Sequence, residues 1–91
     1  MMRMRRCAYD DPVQVEFRNE TMSRFRWAEC DFEVVALLKM VAVHDPRGGV
    51  ESQLWHVGAL SGGARAATYE IHCDHGDWRL AAVWEGGDPW W

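Results

Sequence analysis

Apolar and polar residues alternate along much of this chain with a period of two. Val13, Val15 and Phe17 are interleaved with Gln14, Glu16 and Arg18, the pattern of a strand with one buried face. Asn19-Glu20-Thr21-Met22-Ser23 supplies turn-forming residues. Arg24-Phe25-Arg26-Trp27 then resumes the alternation with Phe25 and Trp27 inward, which predicts a hairpin. A second short turn is expected around Glu29-Cys30-Asp31, after which Phe32 and Val34 open an apolar stretch that runs to Val43. It reads as a long bent strand. A short buried helix over 35–41 is the competing reading, because a continuous apolar run carries no period that separates the two.

His44-Asp45-Pro46-Arg47-Gly48-Gly49 is the strongest breaker and predicts an exposed turn. The stretch from Val50 to Leu60 reads as a strand with Leu54 or Trp55 directed inward, and Ser61-Gly62-Gly63-Ala64-Arg65 ends it. Tyr69, Ile71 and Cys73 alternate with Glu70, His72 and Asp74, and Asp74-His75-Gly76-Asp77 turns the chain. Trp78, Leu80, Ala82 and Trp84 then alternate with Arg79, Ala81, Val83 and Glu85. Both strands of this last hairpin are thus marked by the pattern.

Short strands joined by tight turns imply an all-β fold, and bare sheet edges invite edge-to-edge pairing. The expected architecture is therefore a small, strongly bent antiparallel sheet or partly open barrel of five to six strands. The expected organisation is an N-terminal arm over 1–12, one β domain over 13–85 and a C-terminal tail over 86–91. The expected core is Val15, Phe17, Phe25, Trp27, Phe32, Val34, Tyr69, Ile71, Trp78, Leu80 and Trp84.

Composition agrees with one small domain: 91 residues, 48% hydrophobic, with six Trp whose burial offsets part of the disadvantage of small size. Lys39 interrupts the longest apolar run, which is too short for a membrane helix. The arginines near the start are followed by Asp10-Asp11-Pro12 rather than by the apolar stretch of an export signal. Three cysteines, Cys7, Cys30 and Cys73, fit neither a disulfide framework nor paired zinc ligands. Reduced thiols and a cytoplasmic location are the expectation.

The net charge of −4 is unevenly spread. Six arginines lie in the first 26 residues, whereas acids dominate the rest, so a polyanionic partner is disfavoured over most of the surface. The exception is the outer face of the first hairpin, where Arg18, Arg24 and Arg26 would reach phosphates, although Glu16 and Glu20 are placed to pair with them.

Chemistry is thinly supplied. His72-Cys73-Asp74-His75-Gly76-Asp77 holds metal-ligand types, but a strand sends Cys73 to the opposite face from His72 and Asp74. Cys30 or Cys73 beside a histidine lacks a third orienting group, and Ser61-Gly62-Gly63 lacks the Lys and helix of a phosphate loop. No catalytic residue, metal or cofactor is expected. The adjacent Trp90 and Trp91 are the candidate contacts for a protein partner or a second copy of the chain, with capping of the core as the alternative.

Several of these segments together resemble a known family. They are Phe25-Arg26-Trp27 after the Val-x-Val-x-Phe strand, Phe32-x-Val34, Trp55-x-Val57, and Thr68-Tyr69-Glu70-Ile71 leading through a Gly-bearing turn to Trp78-Arg79-Leu80-x-x-Val83-Trp84-Glu85. The combination, over 13–85, resembles small actinobacterial proteins known only as a domain of unknown function. The final hairpin is also similar to the C-termini of polymerase-like proteins of the error-prone Y family. The resemblance implies a β-rich fold and a link to DNA damage tolerance, and it implies no catalytic residues. The function expected is thus a non-catalytic protein-interaction or accessory module; the alternative is a nucleic-acid-contacting accessory protein using Arg18, Arg24 and Arg26.

Overall fold

The computed structural model describes residues 5–61 and 66–85. The expected all-β class is what it shows: seven strands in one antiparallel sheet, β1 (Arg5–Pro12), β2 (Gln14–Arg18), β3 (Thr21–Trp27), β4 (Cys30–His44), β5 (Val50–Leu60), β6 (Ala67–Asp74) and β7 (Asp77–Glu85). The count exceeds the expected five to six. The segment read from the sequence as an arm contributes β1 from Arg5 onward, paired with β7. The apolar run from Val34 to Val43 is strand, not helix.

The sheet order is β1-β7-β6-β5-β4-β3-β2. Its two edge strands are therefore consecutive in the chain, joined at Val13, and no ladder connects them. Val13 donates its backbone N–H to the Trp78 carbonyl at 3.1 Å, anchoring this corner beneath β7. The indole of Trp27 on β3 donates to Asp11 on β1 at 2.9 Å, and Tyr9 meets the same ring edge-on at 5.0 Å. The sheet is open in its ladders but curled enough for side chains to bridge its two edges.

Inside the curl lie Val13, Met22, Phe25, Phe32, Trp55, Val57, Ala59, Tyr69, Ile71, Leu80 and Val83. Phe25 stacks on Phe32 at 4.9 Å, and both rings contact Tyr69. Three hairpin turns have paired positive φ values: Asn19-Glu20 (52° and 66°), Ala28-Glu29 (52° and 64°) and His75-Gly76 (51° and 85°). That is the geometry of two-residue turns whose twist matches the strands they join. The first reversal is thus confined to Asn19-Glu20, and Thr21, Met22 and Ser23, expected in the turn, belong to β3.

Two bulges account for part of the difference between the expected core and the observed core. Between β2 and β3 the register steps from Glu16↔Arg24 to Phe17↔Met22, leaving Ser23 unpaired, its hydroxyl on the Glu16 carbonyl at 3.2 Å. One extra residue reverses the facing of everything beyond it, so Met22 joins Phe25 inside. Phe17 faces the same side but lies at the mouth of the curl. It is 44% exposed rather than buried, with its ring against Trp55 and Trp78. In β7 the register passes from Glu70↔Ala82 to Ile71↔Leu80, skipping Ala81. Val83 is consequently inside, opposite Tyr69, and Trp84, expected in the core, lies on the outer face opposite Thr68.

Candidate functional site

Three features outside the core could serve as sites. The first surrounds Glu70, only 6% exposed although it lies on the outer face of the sheet. Its neighbours in the ladders are His56 and Ala82, and Trp84 and Arg6 stand one pair further along. Arg6 reaches one carboxylate oxygen through Nη2 at 2.7 Å and Nε at 3.2 Å. The Trp84 indole donates to the other oxygen at 2.8 Å, and His56 Nε2 lies 3.3 Å from it. Burial pushes the Glu70 carboxyl upward, but the hydrogen bonds from Arg6 and Trp84 and the charge on Arg6 outweigh it and hold the group below the ordinary carboxylate range. Each oxygen of Glu70 accepts at least one hydrogen bond, so the cluster fastens β1, β6 and β7 together.

The second feature is the arginine face. Arg24 is paired in the ladders with both Glu16 and Glu33, and Arg26 with Gln14 and Asp31. Arg18, Arg24 and Arg26 do share the outer side of the hairpin, as expected. Arg18 and Arg24 line a groove of about 990 Å³ together with Glu16, Asp31 and Glu33. Arg26 Nη1 is 4.0 Å from Asp31 Oδ1, with both side chains exposed. The cations are thus interleaved with carboxylates, which lowers the positive field that a phosphate chain would meet.

The third is β4. Its first residues, Cys30–Glu33, pair with β3, but from Val34 onward β3 has turned away, and among the described residues no strand pairs with that side of β4 as far as His44. The other side is laddered to β5 from Glu33 to His44, with breaks at Val35 and Leu38. Along the unpaired stretch Val35, Leu37, Leu38, Met40, Val41 and Val43 are each 41 to 50% exposed. Register with β5 divides them. Leu37 and Met40 face the same side as Val57 and Trp55, and Val41 and Val43 face the other; Val35 and Leu38 are skipped in the ladder as bulges. From Lys39 to Val43 the pairing with β5 is regular. A continuous apolar run is the composition of a strand covered on both faces, yet here both faces and one edge are open. The sequence carried the signal in that run, and what it lacked was the departure of β3 at Val34.

Trp90 and Trp91 lie outside the described residues. Cys7, Cys30 and Cys73 are free thiols, and Cys73 is buried. Among the described residues no three His, Cys, Asp or Glu side chains converge to hold a metal ion, and no helix is long and apolar enough to cross a membrane. His75 turns to Asp74 at 2.7 Å at the exposed hairpin tip, away from Cys73. No protein-family model, curated protein or solved structure matches the chain.

Proposed function

We propose that this protein is a non-catalytic interaction module that presents the open edge and apolar faces of β4 to another polypeptide. The observation that carries the reading is the coincidence, on one strand, of backbone groups with no strand partner and six half-exposed aliphatic side chains. Together those side chains leave roughly 500 Å² of apolar surface exposed, divided between the two faces of the strand. Adding a strand to such an edge satisfies the backbone while the side chains on both faces gain neighbours. The protein partner expected from the sequence is retained, and its expected contacts, Trp90 and Trp91, remain candidates beside β4.

The nucleic-acid alternative, with its link to damage tolerance, rests on the face of Arg18, Arg24 and Arg26 and on the likeness of the final hairpin to other proteins. The carboxylates of Glu16, Asp31 and Glu33 in the same groove weigh against it.

A photo-crosslinking residue at Val41, with a control at Arg79 on β7, tests the reading in cells that express the full chain. Protein adducts at 41 and none at 79 are expected. Equal labelling at both positions, or no adduct at 41, would overturn it.

A further inference from the structure

We infer that the occupant of the β4 edge is a second copy of this chain, paired antiparallel with the first about a two-fold axis near Val41. The inference rests on reading β4 as a docking edge and adds what docks there.

An edge strand running antiparallel to its own copy is self-complementary: each side chain meets the one related to it by the axis, and both edges are satisfied together. The regular part of the edge, Lys39 to Val43, selects the centre, because the bulges at Val35 and Leu38 disrupt a ladder placed further back. Centred on Val41, Lys39 stands opposite Val43 of the second copy and Met40 opposite Ala42. The only charge in the apolar run thereby avoids its own image, which a centre on Lys39 would bring face to face with it.

The exposed area bounds the strength of such a pairing. The six aliphatic side chains of each copy expose roughly 500 Å² over the two faces of β4, so a pair buries at most roughly 1,000 Å², at the lower limit of a specific interface, which points to a weak, reversible dimer.

Sedimentation velocity over a concentration series tests this on the whole protein, with circular dichroism and Trp fluorescence as checks on folding. The native chain should pass from 10.5 kDa to twice that mass. Val41→Lys and Val41→Asp should each remain monomeric, since the axis sets position 41 against itself, and mixing the two should restore association. Val43→Glu, which places a carboxylate opposite Lys39 of the other copy, should tighten the dimer about threefold. That variant adds an attraction, so its result stands even if the position 41 variants do not fold.

A native chain that stays monomeric at all concentrations would overturn the dimer. So would Val41→Lys and Val41→Asp variants that still dimerise alone, a folded mixture that fails to associate, or a Val43→Glu variant that dimerises no more tightly than the native chain. Heterologous adducts at 41 on a monomeric protein would remove the second copy and leave the docking reading standing. Loss of both the adducts and the dimer would remove both.

Discussion

Glu70 shows how one residue on the outer face of a sheet is made to behave as an interior group. Two strands and an arginine cover it, and its two oxygens take a charged donor from Arg6 and a neutral one from Trp84. Its carboxyl is held below the ordinary range in the folded state, so the unfolded chain binds the proton more readily. The stabilisation is complete above the ordinary carboxylate range and is lost as the pH falls through the lower, folded value. Glu70→Gln should therefore cost about 1 to 3 kcal/mol at neutral pH and flatten the loss of stability on acidification. Urea denaturation between neutral pH and about pH 3 measures both; an unchanged acid slope in the variant would contradict the assignment. None of this was legible in the sequence. Alternation placed Trp84 inward and Glu70 outward on opposite faces, whereas the skipped Ala81 sets them together.

Turns and bulges divide what the pattern of elements reveals from what it hides. The hairpin β6–β7 and the strand pair β2–β3 were visible in their alternation, and His75-Gly76 is a turn by composition as well as by geometry. β1 was not visible: Arg5–Pro12 has no alternation, and it is a strand because β7 offers it a ladder. The Ser23 and Ala81 bulges have no composition of their own, yet each reverses the facing of the residues beyond it.

The Ala28-Glu29 turn is the least suited to its conformation, with two non-glycine residues at positive φ and neither an Asn nor a Gly among them. Glu29→Gly should raise the stability by about 1 kcal/mol through relief of that strain, partly offset by the greater freedom glycine has in the unfolded chain. A rise of several degrees in the thermal midpoint would register it. No change, or a fall, would show that the turn carries no such cost.

At the scale of the molecule, β4 and β5 outrun the strands around them. The 15 residues of β4 span roughly 50 Å when extended, comparable with the longest dimension of the molecule, 46 Å against 26 and 24 Å across it. β3, with 7 residues, accompanies only its beginning. The compact part of the fold, around Phe25, Tyr69 and Ile71, has its core and its ladders satisfied; the length of β4 beyond Glu33 does not, and that imbalance is the reason for assigning it a partner. The long strand is legible in its apolar run, but composition does not disclose which strand edge a fold leaves uncovered, so the sequence points for a partner to the arginine face and to Trp90 and Trp91 instead. Amide hydrogen exchange, followed by residue in dilute native protein and again at high concentration, tests the openness of this edge most directly. Amides of 39–43 that face away from β5 should exchange much faster than those of Ile71 in the dilute sample and slow as the protein is concentrated, whereas protection equal to that of Ile71 at the lowest concentration would mean that the chain covers this edge itself.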